Sequence, residues 1–172
     1  GLDPADYYGI GVVTDRLKVG KDRIAITSLD PNDNAAPAIT GGYVIKFDPV
    51  PDETHYNFIT DHGIPISEGT GVVVDTPNGG KLGEPQRDYI RDYVQRMENA
   101  LYADQSAGYA TRTYLDYIDV ASWVDHHVLE LFTGNVDALY RSDYFHKDRG
   151  GKLVSGPAWD FPCRRSATRT RP

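Results

Sequence analysis

Residues 130–161, ELFTGNVDALYRSDYFHKDRGGKLVSGPAWDF, order a helix end, a polar turn, a hairpin and an Asp-Phe pair. Gly134 closes the helix, because glycine adopts the left-handed conformation that helix ends need. Asn135 and Asp137 make the turn polar. The runs YFHK and KLVS flank Asp148-Arg149-Gly150-Gly151, which reads as a hairpin with a glycine turn. The stretch therefore predicts two kinds of structure side by side, a helix and a small sheet, in an α+β fold.

Upstream, Asp119 is a good N-cap for that helix, and Ile118 and Trp123 stand at the two staple positions around it. Val120, Val124, Val128 and Leu131 recur at helical spacing, so the helix is expected to pack beneath the hairpin with Trp123 and Leu131 pointing one way. Glu130 follows Trp123 by seven positions and His127 by three, which puts an acid on the buried stripe. A buried acid needs a partner, either in a structural ion pair or in support of the neighbouring turn. His126 and His127 are adjacent, so they cannot both reach one ion from the helix, and core packing or surface exposure is expected of them. An earlier helix opens at Pro85, with Tyr89, Ile90, Tyr93, Val94, Met97 and Leu101 on its apolar stripe. The first half reads as β-rich: runs at 7–13, 23–26, 42–47 and 72–74 are short, β-branched or aromatic. Residues 29–37, LDPNDNAAP, form a turn-rich loop, and Gly41-Gly42 loosens the backbone ahead of a strand.

The 172 residues suit one domain with a real core, at 40% hydrophobic and 25% charged content. No apolar run approaches the roughly 18 residues of a membrane span. The formal charge of −7 hides an asymmetry, because Arg164, Arg165, Arg169 and Arg171 crowd a tail without acids, leaving −11 on the body. An acidic body argues against nucleic acid as the main partner and suits a basic protein or a divalent cation. Cys163 is alone, so there is no internal disulfide and no cysteine metal site.

The chemistry gathers at the polar turn and the Asp-Phe pair. Kinases use this order for phosphoryl transfer: an Asn after a helix and an Asp after a hairpin converge on Mg²⁺ bound to ATP, and a nearby carboxylate orients the attacking hydroxyl. On this reading Asn135 and Asp160, 25 positions apart, hold the metal as hard oxygen donors, and Asp137 orients the substrate hydroxyl.

Residues 135–161 resemble the signature stretch of the CotH (spore coat protein H) kinase family. The segments YYGIGVVTDRLKVGKDRIAI and ITGGYVIKFD resemble that family's strand, connection and Gly-Gly strand, so the likeness covers most of 7–161. It implies a reduced, atypical protein-kinase-like fold: a β-rich N-terminal part, two main helices and a hairpin. It also implies transfer of phosphate from ATP, with Mg²⁺, to Ser or Thr of proteins in spore coats or outside the cell. Asp160 matches the family's metal-binding Asp, Asn135 and Asp137 its Asn-x-Asp turn, and Asp15 stands where the family has Glu. Asp15 would pair with a nucleotide-contacting Lys on a strand upstream of this chain.

Residues 1–161 are thus expected to be a partial kinase domain and 162–172 a disordered basic tail. Pro162 replaces the acid of the family's Trp-Asp-Phe-Asp pattern, and PCRRSATRTRP has the look of a shifted reading frame. These departures support an alternative, a non-catalytic kinase-like coat or extracellular binding module. A calcium-stabilised β module ranks lower, because the acidic loop at 30–34 lacks the Gly and Glu of a helix-loop-helix calcium site.

Overall fold

A computed structural model describes residues 16–49, 55–63, 70–138 and 141–160. Five strands are present there: β1 (Tyr43–Pro49), β2 (Asn57–Phe58), β3 (Thr70–Thr76), β4 (Asp143–Lys147) and β5 (Leu153–Ser155). They form one sheet in the order β2-β3-β1-β4-β5, every pair antiparallel. The central strands are buried on both faces, which explains why VVV at 72–74 and YVI at 43–45 read as continuous apolar runs rather than alternating ones.

On one face, Tyr43, Ile45, Phe47, Val72, Val74 and Phe145 pack against Ile90, Tyr93, Val94 and Met97 of helix α1 (Glu84–Ser106). This is the main core, and the stripe expected of α1 is the one that builds it. On the other face, Val44 and Tyr144 meet Ile24 and Ile26, with Leu17, Val19 and Trp159 packed around them. Residues 23–26, expected as a strand, instead pass over this face with a single isolated bridge from Val19 to Ile24.

The Gly-Gly pair is where chain segments cross. A Cβ on Gly41 would lie 2.1 Å from the backbone of Arg149 and Asp148, and Gly42 has φ +97 with Thr27 O 2.6 Å from where its Cβ would stand. Only glycine allows backbone to approach this closely. The 148–151 turn is accordingly more than a turn. The Asp148 carboxylate accepts from Thr27 N at 2.9 Å, and Arg149 donates to Ser28 O at 3.1 Å and Asp33 Oδ2 at 2.7 Å. Gln86, fully buried at the start of α1, holds the same loop from the other side by donating to Asp30 O at 2.7 Å and Asp33 O at 3.3 Å. At the crossing, Lys147 is 2% exposed, donates to Thr40 O (2.6 Å) and Gly151 O (2.7 Å), and lies 4.5 Å from the Tyr93 ring centre.

Helix α2 (Val120–Thr133) begins and ends as its sequence dictates: Asp119 accepts from Ser122 N at 2.9 Å, and Gly134 has φ 63. It docks on β5, where Asp119 N and the Trp123 indole both donate to Leu153 O, at 2.9 and 3.0 Å. Trp123 also stacks on Phe145 with ring centres 4.9 Å apart. These contacts set the helix's rotation, and they correct the expected packing face. Trp123, His126 and Glu130 turn inward, whereas Val124, Val128 and Leu131 are 53%, 57% and 69% exposed. The apolar stripe lies roughly 100° around the helix from the line through Trp123 and Glu130. The helix does lie against the hairpin, but Leu131 points away from it.

The fold is α+β, a five-stranded antiparallel sheet with two helices. Among the described residues no helix is long and apolar enough to cross a membrane. The expected strand at 7–13, Asp15 and the basic tail lie outside the described residues.

Candidate functional site

A concavity of about 730 Å³ opens on the Val44–Tyr144 face of the sheet. Residues 16–25 form one wall and 155–160, the chain leaving β5, form the other. Its charged lining residues are Arg16, Lys18, Arg23, Asp22 and Asp160, with Ile24 and Trp159 among the apolar ones. Trp159 is held edge-on to Tyr144 with ring centres 6.2 Å apart. Burial raises the Tyr144 phenol pKa above its ordinary value against the opposing pull of Lys46, whose ammonium lies 5.7 Å from the ring centre. His146 Nδ1 is 3.0 Å from Gly156 O, fixing the chain where it turns toward Trp159.

Asp160 is exposed and has φ 52, the left-handed region that a non-glycine residue adopts at a cost of about 1 kcal/mol or more. Such conformations persist where surrounding structure over-determines them, and they cluster at functional sites. Asn135 and Asp137 are half-buried on the turn after α2. Asn135 N donates to Glu130 O at 3.1 Å, finishing the helix, and Asn135 Oδ1 accepts from Asp137 N at 3.1 Å. The turn therefore brings Asn135 and Asp137 together, while Asp160 belongs to the cavity, whose lining includes neither of them.

A second polar group sits under the hairpin's opposite face. His126 Nε2 is 3.0 Å from Glu130 Oε1, and ligand-capable atoms of His126, Glu130 and Asp143 all lie within 4.8 Å of one another. Glu130 is 4% exposed and Asp143 3%. The buried acid on α2 thus has an imidazole beside it one turn earlier on the same helix, close but not in hydrogen-bonding geometry. His126 and Asp143 are the residues that sequence reasoning missed. The i,i+4 spacing of His126 and Glu130 was readable, but Asp143 joins them only through the fold.

The sequence profile of the family described as CotH kinase protein matches residues 6–163. The chain belongs to the CotH kinase family. No match was found among curated proteins or among solved structures. The matched range takes in the CotH residues singled out above, namely Asp15, Asn135, Asp137 and Asp160. It also contains both faces of the hairpin, the cavity on one side and the His126–Glu130–Asp143 group on the other.

Proposed function

We propose that this chain carries the core of a protein Ser/Thr kinase that binds ATP with Mg²⁺ in the cavity beside Asp160 and transfers the γ-phosphate to a protein hydroxyl. The observation that carries this reading is Asp160 itself, held at φ 52 at the end of the hairpin, in a cavity it shares with Arg16, Lys18 and Arg23. The residues present fit the nucleotide. A volume of about 730 Å³ is in the range of small-molecule sites, Ile24 and Leu17 offer apolar surface to a base, and basic side chains suit phosphates. Asp160 supplies the hard oxygen that Mg²⁺ prefers, and Asn135, which lies outside the cavity lining in this structure, becomes the second donor when the turn after α2 closes on the bound ion. The bound ion would supply neutralisation of charge developing on the transferred group.

In this reading Asp137 orients the attacking hydroxyl and accepts its proton, and Asp15 pairs with a nucleotide-contacting lysine of an upstream strand. The acidic body favours a basic protein as substrate, at a coat or extracellular location. One feature favours the second reading, a non-catalytic binding module. Protein kinases place a metal-binding Asn five positions after the catalytic Asp, and here that position is Ser142.

Thermal unfolding with and without ATP·Mg²⁺, together with transfer of labelled phosphate to a Ser-rich basic protein, tests both. Protection by the nucleotide that Asp160→Asn removes, with transfer falling more than about a hundredfold, supports the kinase; that loss equals about 3 kcal/mol in the barrier. Protection without transfer supports the binding module. Equal behaviour of wild type and Asp160→Asn would refute the assignment of Asp160.

A further inference from the structure

We propose that His126, Glu130 and Asp143 form a divalent-cation site of the zinc class that ties α2 to β4, separate from the cavity of Asp160. The first argument is burial. Both Glu130 carboxylate oxygens and His126 Nε2 are buried without a hydrogen-bond partner among the described residues. His126 Nε2 approaches Glu130 Oε1 to 3.0 Å, but not along the line a ring N–H would need. A buried carboxylate with both oxygens unmatched is destabilising, and a cation shared by the three side chains removes that cost.

The second argument is geometry. A tetrahedral ion with bonds of about 2.0–2.1 Å holds its ligand atoms roughly 3.3 Å apart. The three donors already stand within 4.8 Å of one another, so a small closure is enough. His126 Nδ1 lies 2.6 Å from Ser155 Oγ, which leaves Nε2 facing the two carboxylates. A hydrogen bond on the far nitrogen is the usual support of a metal-bound imidazole. Ser155 is itself fixed, its N–H donating to Ser122 Oγ at 3.0 Å.

The third argument is placement. Successive strand residues face opposite sides of the sheet. Asp143 therefore shares its face with Phe145, against Trp123, whereas Tyr144 points to the other face and to Trp159 beside Asp160. A hollow of about 330 Å³, lined chiefly by apolar side chains including Ile118 and Val124, adjoins the three donors and gives an ion a way in. One imidazole with two carboxylates selects a borderline ion such as Zn²⁺ over Mg²⁺, which favours all-oxygen shells. Three protein ligands leave a fourth position for water.

The test uses the full chain, stripped with a chelator and given Zn²⁺ or Mg²⁺ alone, without nucleotide. Zinc at about 100 times its Kd should be retained at one equivalent and raise Tm by roughly 5–10 °C, while Mg²⁺ does neither. Glu130→Gln and Asp143→Asn should each weaken zinc binding at least about tenfold, and Ser155→Ala about tenfold through the imidazole it orients. His127→Ala and Cys163→Ser should retain wild-type binding. A wild-type chain that retains no zinc, or uptake unchanged in Glu130→Gln, overturns the proposal. Should the variants fail to fold, Co²⁺ added to the wild type decides: strong visible absorption of a four-coordinate N/O site supports it, and the weak spectrum of hydrated Co²⁺ refutes it.

Discussion

Lys147 makes the stability of this domain depend on pH in a direction opposite to that of an ordinary paired lysine. The residue is 2% exposed, its ammonium lies among carbonyls and tyrosine rings, and burial lowers its pKa from 10.5 to about 8, with Asp148 opposing the shift. Between those values the unfolded chain binds more protons than the folded one, so stability rises with pH. From pH 7 to pH 9 the folded lysine goes from about nine-tenths protonated to about one-tenth, while the unfolded lysine stays almost fully charged. Integration over that interval gives a gain of about 1.3 kcal/mol. The tyrosines that pack in or against the core act the other way, Tyr93 being pushed up to about 12 by burial, with Tyr43, Tyr56, Tyr89 and Tyr144 also raised. An unfolded tyrosine ionises near 10, so at pH 9 the five together remove at most about 0.3 kcal/mol. The net gain of about 1 kcal/mol corresponds to a Tm higher by roughly 2–4 °C. Urea unfolding at pH 7, 8 and 9, repeated on Lys147→Met, measures it. The variant should lose the upward slope; an equal slope in both proteins would refute the account of Lys147.

Gly41→Ala should cost about 3 kcal/mol, since its Cβ would stand 2.1 Å from the Arg149 and Asp148 backbone and one of the two segments must move. A Tm lowered by roughly 6–12 °C is expected, and an unchanged Tm would mean the crossing is loose. Gln86→Ala strips donors from the Asp30 and Asp33 carbonyls and an acceptor from Gly83 N, a loss of about 2–3 kcal/mol. Proteolysis should then cut first within the 29–37 loop, and cutting elsewhere first would show that Gln86 does not hold it.

What could be read from the sequence is what neighbouring residues decide. The limits of α2 were legible because Asp119 and Gly134 act on backbone within a turn of themselves. The hairpin was legible because Gly150 and Gly151 sit between two β-type runs. The rotation of α2 was not, because the Trp123 indole is anchored by Leu153, 30 positions on, and that bond outweighs the pull of Val124, Val128 and Leu131 toward a core. Residues 23–26 have strand-like composition, but they lie over the filled face of the sheet rather than at a free edge, so they cover Tyr144 instead of pairing. The two-residue β2 gives too little pattern to see. For the site, Asp160 was legible as a residue type after a hairpin, whereas the basic wall at 16–23 reaches it only through the tertiary packing of Ile24 and Ile26 on Val44. As half of a histidine pair His126 reads as packing or surface, whereas its relevant neighbour is the acid one turn later.

The order of strands has a consequence for how the chain is made. β1 lies at the centre of the sheet, and one of its edges is closed by β3, which follows it closely in sequence. Its other edge is closed by β4, and the contact that seals that end joins Thr40 to Lys147, 107 positions apart. A nascent chain emerging from the ribosome therefore presents β1 with an open row of backbone donors and acceptors until more than half of the domain has been synthesised. Pairing over such a span is slow, and an uncovered apolar strand edge invites intermolecular pairing during the delay. Production yield should then respond to slower translation and lower temperature more strongly than the stability of the finished domain alone would suggest.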